Sequence, residues 1–197
     1  MDGLLHDPHR RMEDSAFAAR RYATNVLATP AVAVVTCCDA HAPSGEVLGQ
    51  LPRAVLTIGS AAATLGEDVL GCLEYACEVE GASMILVLAH TRCHVIEAAC
   101  DRIEIGHLTG VLSRIEPAIR AVEGRGTENL SWHTFTERVA MEHVRRQAAC
   151  IPDRSPVLAR LVRYGRLEIV SAMADSDTGA LRTRTASPGL LDLLVSA

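Results

Sequence analysis

Aromatic side chains are scarce in this chain: one Trp, three Tyr and two Phe among 197 residues. With 49% of the residues hydrophobic, the core must be aliphatic and alanine-rich, which suits helices packed on a sheet. Basic charge is also short. Nineteen arginine and lysine residues face 24 carboxylates, and a net charge of -5 leaves no broad basic face for nucleic acid. No apolar run approaches the ~20 residues of a membrane span, and the N-terminal MDGLLHDPHRRMEDS has no signal-peptide core, so a cytoplasmic protein without a membrane partner is expected. A secreted disulfide framework is missing as well. The seven cysteines (37, 38, 72, 77, 93, 100 and 150) are odd in number and lack a compact pattern, which points to reduced thiols and metal ligation.

What is present fits a single domain over residues 1–197, with 1–12 a loose arm and 187–197 a Leu-rich tail that could dock on a neighbour. Helical spacing runs from Glu13 to Leu27 and ends before Pro30. Ala31–Val35 and Met84–Ala89 are charge-free runs that read as strands buried on both faces of a parallel sheet. Ala54–Ile58 adds a third strand, closed by Gly59-Ser60, and Glu67–Glu80 a helix capped by Gly81. Further helices are expected over His94–Asp101, Thr109–Glu123 and Trp132–Cys150, the last stopped by Pro152. Ser155-Pro156 starts another helix, with Gly165 as its C-cap. Arg166–Met173 alternates as a strand, Asp175–Gly179 is a turn, and Ala180–Thr185 returns as an antiparallel edge strand. The fold class is α/β: a mostly parallel sheet of about four strands plus the antiparallel edge, with helices packed around it.

Chemistry gathers at two strand ends. His90 and Cys93 follow the strand that ends at Ala89, and Cys37 and Cys38 follow the one that ends at Val35. In open α/β sheets ligands collect beyond the carboxyl ends of strands. A Cys from one strand with His and Cys from the other makes a three-ligand set that leaves a fourth position open, as in a catalytic zinc site. The residues alone leave Cys37 and Cys38 as alternatives, because neighbours on an extended chain point to opposite faces. Cys72, Cys77, Cys100 and Cys150 lie on expected helices with no ligand pattern and read as core packing.

The spacing Cys37-x-Asp39 followed by His90-x-x-Cys93 resembles the β-class carbonic anhydrases, whose signature is C-x-D-x-R and then H-x-x-C-G. Leu73-Glu74-Tyr75-Ala76 resembles that family's S-L-E-Y-A helix. Ser155-Pro156-Val157-Leu158, Gly165–Val170 and Asp177-Thr178-Gly179 are similar to its closing helix, strand and turn, so the resemblance runs from about Glu13 to Thr185. It implies Zn2+ held by Cys37, His90 and Cys93, reversible hydration of CO2 to bicarbonate through a zinc-bound hydroxide, and a homodimer or larger homo-oligomer. It makes Asp39 the carboxylate that orients the water or, in the family's closed form, binds the metal itself.

The chain departs from the family at three places. His41 stands where the family has the Arg that pairs with Asp, His94 where it has Gly, and Leu56–Ser60 keeps only the Gly of R-N-A-G-N. His41 is expected to pair with Asp39 or shuttle a proton, against the plainer reading of a loop residue, and His94 to face solvent at a helix start. Arg92 and Arg53 are candidates to replace the missing Arg in space. These departures admit two alternatives, a catalytically impaired zinc protein with a structural or regulatory role and a hydrolase of COS or CS2. His133 and His143, beside Glu137 and Glu142, do not have H-E-x-x-H spacing and read as solvated helix faces.

Overall fold

Val32–Cys37 forms β1 and Met84–His90 forms β3, and every residue of both is buried. Their β-branched and aliphatic runs carry no charge that would have to face water, which is why they can occupy the middle of the sheet. The computed structural model describes residues 31–40, 47–49, 55–126 and 129–183. Within them Val55–Ser60 is β2, Glu168–Ala174 is β4 and Leu181–Arg182 is β5. The sheet order is β2-β1-β3-β4-β5, with the first four strands parallel and β5 antiparallel to β4. The α/β architecture expected from the sequence is the one observed.

Six α-helices are described: α1 Glu67–Glu74, α2 His94–Cys100, α3 Gly106–Leu112, α4 Glu116–Glu123, α5 Trp132–Arg154 and α6 Pro156–Arg163. Alternation along β1 and β3 divides the core between two faces. Ala33, Val35, Cys37, Ile85, Val87 and Ala89 pack with residues of α1, α2, α4, α5 and α6, while Val32, Val34, Leu86 and Leu88 pack on the other side with Leu48, Val170 and Ala172. Cys37 therefore belongs to the helix-covered face.

The strand order places the site. From β1 the chain goes to β2 on one side, and from β3 it goes to β4 on the other, so the carboxyl ends of β1 and β3 flank a point where the winding reverses. Such a switch point opens a crevice where ligands bind in doubly wound sheets. Cys37 closes β1 and His90 closes β3.

Several expectations are corrected. Gly59 and Ser60 do not close β2 but belong to it, paired with Thr36 and Cys37. The single helix expected over Thr109–Glu123 is two, broken at 113–115, where the Ser113 and Ile115 amides bond back to Thr109 and Leu112. Pro152 lies inside α5, which continues to Arg154. A proline so near the end removes only one late hydrogen bond, and the Ser155 amide still reaches the Ile151 carbonyl at 3.0 Å. The helix expected over Glu67–Glu80 begins as α1 and finishes as a π-helical turn over Tyr75–Val79. The strand expected at Arg166 starts at Glu168, and the Leu161 carbonyl accepts the Arg166 amide. Cys72 is exposed rather than packed in the core, while Cys77 is buried. The expected first helix, the N-terminal arm, the Leu-rich tail, His41 and Arg53 lie outside the described residues.

Candidate metal centre

Cys37, His90 and Cys93 are all buried, and their ligand atoms lie within 4.8 Å of one another. Cys38, the alternative ligand, is exposed. The two sulfurs, Cys37 Sγ and Cys93 Sγ, are 3.6 Å apart. Two thiolates ~2.3 Å from one tetrahedral zinc would stand roughly 3.8 Å apart, so the pair is already spaced for a shared metal.

The histidine is oriented by its backbone. His90 Nδ1 donates to its neighbour's carbonyl, Thr91 O, at 3.0 Å, which leaves Nε2 as the lone-pair nitrogen. His90 Nε2 is the one buried side-chain nitrogen or oxygen among the described residues with no hydrogen-bond partner. A buried acceptor without a partner is costly, and a cation beside it removes the cost. The Thr91 carbonyl is fixed in turn by the Ser176 hydroxyl, which donates to it at 2.8 Å, while the Ser176 amide donates to Thr91 Oγ1 at 2.9 Å. Arg92, between the ligands, has a left-handed φ of 55° and pairs with Asp177. A bulky side chain in that region is strained, and here the turn after β4 holds it in place.

The sulfur of Cys37 sits in a ring of donors. The Ala62 amide reaches it at 3.1 Å and the Asp39 amide at 3.4 Å. The Cys93 thiol, donating across the site, is the largest influence drawing Cys37 well below the ordinary thiol range, against the opposing effect of burial. The same contact, with burial, pushes Cys93 up. Without metal the pair thus keeps one proton on Cys93 and a thiolate on Cys37. Metal binding would release that proton.

The Ala62 donor was not foreseen. It comes from a 3-10 turn, Ala61–Ala63, with Ala62 and Ala63 at φ of 54° and 55°. Helix α5 secures the segment after it: Thr64 Oγ1 lies 3.1 Å from His143 Nε2, and the Leu65 amide donates to Gln147 Oε1 at 2.8 Å. His143 is therefore buried at 1% exposure, not on a solvated face, whereas His133 is exposed and pairs with Glu137. Glu142 is buried too, gripped by Arg145 and Arg146.

A cavity of about 10 Å³ adjoins Cys37, His90 and Cys93, room for little more than one ion or water. Its other walls, Ala62, Ala89, Ile96, Ala140 and Val144, are apolar. Asp39 follows Cys37 by two residues, with its amide on that sulfur. Burial opposes its ionisation, but the His94 amide and ring outweigh burial and hold its carboxyl below the usual carboxylate range. Its described partner is thus His94, and Arg92 is turned to Asp177 instead. The donor set, two thiols and an oriented imidazole lone pair, suits zinc.

The carbonic anhydrase family model matches residues 32–181. A protein named carbonic anhydrase 2 from Mycobacterium tuberculosis is 26% identical over 155 residues, which are 76% of this chain and 72% of that one. A carbonic anhydrase of Mycolicibacterium smegmatis is 23% identical over 171 residues, 84% of this chain and 80% of its own. In three dimensions the chain matches a β-carbonic anhydrase of Aspergillus fumigatus with a TM-score of 0.77 at 21% identity, covering 95% of each chain. It matches a tetrameric β-carbonic anhydrase of Sordaria macrospora with a TM-score of 0.75 at 16% identity, covering 90% of each.

Proposed function

This chain belongs to the carbonic anhydrase family, and from that premise we propose that it catalyses the reversible hydration of CO2 to bicarbonate with zinc held by Cys37, His90 and Cys93. The observation that carries the reading is the partnerless, buried Nε2 of His90 grouped with two sulfurs. Zinc on three protein ligands supplies the Lewis acidity that makes water a nucleophile near neutral pH. The chain's residues tune that chemistry. Two thiolates weaken a metal's electrophilicity, and the Ala62 and Asp39 amides, donating to Cys37 Sγ, draw charge back from one of them. The Thr91 carbonyl keeps the His90 proton on Nδ1. Ala89, Ile96, Ala140 and Val144 keep the surroundings dry, where fixed dipoles act most strongly. Asp39, held ionised by His94, accepts a hydrogen of the attacking water at a carboxylate oxygen and so turns its lone pair toward the CO2 carbon.

The same reading places the protein in the cytoplasm as a homodimer or larger homo-oligomer. Val79, Trp132 and Tyr164 expose apolar surface of the kind that subunits cover, and the Sordaria macrospora relatives are tetrameric. Stopped-flow CO2 hydration tests the activity: the zinc-loaded protein should raise the rate in proportion to its zinc content, and Cys93→Ala should return it to the buffer rate. Equal rates for the two proteins would refute the reading. One observation favours a second reading, a zinc protein of this fold without turnover: among the described residues no arginine pairs with Asp39. A fully zinc-loaded wild type that leaves the buffer rate unchanged across neutral and mildly alkaline pH would select it.

A further inference from the structure

The Asp39 carboxylate is the acidic group closest in sequence to Cys37, and its restraint decides whether the fourth position of the site stays open. The Asp39 amide is 3.4 Å from Cys37 Sγ, so the carboxylate hangs one side chain away from Cys37. A carboxylate oxygen is a good zinc ligand, and an unrestrained one would complete the tetrahedron and exclude water or any added anion. Among the described residues, what holds it is the first residue of α2. The His94 amide donates to Asp39 Oδ2 at 2.8 Å, and His94 Nδ1 lies 3.3 Å from both Asp39 carboxylate oxygens. One amide bond would leave the carboxylate free to pivot about that contact, and the ring nitrogen, within reach of both oxygens, restrains the pivot. A neutral imidazole with its proton on Nδ1 is donor enough. Asp39 is mostly covered at 21% side-chain exposure while the His94 ring is 73% exposed, so the ring reaches inward by one edge only.

We infer that His94 is the positioning residue that keeps Asp39 off the metal. The inference rests on the reading of Cys37, His90 and Cys93 as a metal site. The side chain at position 94, where the resembling family has glycine, supplies the donor. Asparagine at 94 would place an amide nitrogen at the same branch point, whereas alanine would leave the backbone contact alone.

Cobalt(II)-substituted protein titrated with azide tests this, because visible absorption reports the ligands on the metal without any turnover. Wild type should bind azide at the metal. His94→Ala should keep its cobalt, lose azide affinity by about tenfold or more as Asp39 takes the fourth position, and regain it in the His94→Ala, Asp39→Ala double variant. His94→Asn should stay close to wild type. Equal azide affinity in wild type and His94→Ala, or an Asn variant that behaves like the Ala variant, would overturn the role of His94 while leaving the metal site intact. Failure of the wild type to take up cobalt would overturn the metal site, and this inference with it.

Discussion

Replacing Cys93 with alanine should lower zinc affinity by roughly 10²–10³-fold. Four-ligand zinc sites bind with about 10–16 kcal/mol, or about 2.5–4 kcal/mol per ligand, and each ~1.4 kcal/mol is a factor of ten. Cys93 is buried at 5% exposure with its sulfur 3.6 Å from Cys37, so its loss removes a sulfur from inside the site. The loss falls on the remaining ligands too. Cys37 owes its depressed pKa first to the Cys93 thiol, so in the variant burial acts on Cys37 with only the His90 ring and the two amides to oppose it, and the thiolate that must bind zinc becomes harder to form. Competition against a chromogenic chelator at neutral pH measures the change. Cys38→Ala is the control: that thiol is exposed, and the variant should keep wild-type affinity.

The metal-free protein should lose about 3 kcal/mol of stability as pH falls from ~6.5 to ~4 through His143 alone. Burial holds this imidazole's pKa down at about 4, against an ordinary value of 6.5. Between those values the unfolded chain binds a proton that the folded one refuses, so stability falls with pH, and 2.5 pK units at ~1.36 kcal/mol each set the size. The contribution is complete above ~6.5 and gone below ~4. The site is small and enclosed, with Thr64 Oγ1 as the ring's described hydrogen-bond partner at 3.1 Å. Urea unfolding of wild type and His143→Gln at a series of pH values reads it as a difference in slope: steep in wild type across that window, flatter in the variant. Parallel profiles would mean that His143 titrates normally in the folded chain. Because His143 also anchors the segment that presents the Ala62 amide to Cys37, its loss should be felt at the metal site.

The sheet and the grouping of Cys37, His90 and Cys93 were legible in the sequence because each leaves a local mark. Strands buried on both faces must be free of charge, as 32–37 and 84–90 nearly are, and a ligand set split between two strand ends keeps a fixed spacing within each half. The supporting residues leave fainter marks or none. Nothing in Ala61-Ala62-Ala63 announces positive φ, since alanine is not the residue that usually signals a left-handed backbone. The amide that bonds Cys37 is a main-chain group, which any residue type could supply. His143 could have been placed: Thr136, Val139, Ala140, His143, Val144, Ala148 and Ile151 form one buried stripe along α5, and its position on that stripe outweighs the charged neighbours that suggested a solvated face. The pairing of Asp39 with His94 depends on two loops from different strands meeting across the switch point, a tertiary fact without a local signature.

Everything proposed for the site depends on one metal held by two sulfurs and one imidazole. X-ray absorption at the zinc edge of the zinc-loaded protein reads that ligand set directly. The expected shell has two sulfurs at ~2.3 Å and two nitrogen or oxygen atoms at ~2.0–2.1 Å, changing to one sulfur or to loss of zinc in Cys93→Ala. A shell without sulfur, a shell of four sulfurs, or a spectrum that Cys93→Ala leaves unchanged would contradict the assignment of Cys37, His90 and Cys93.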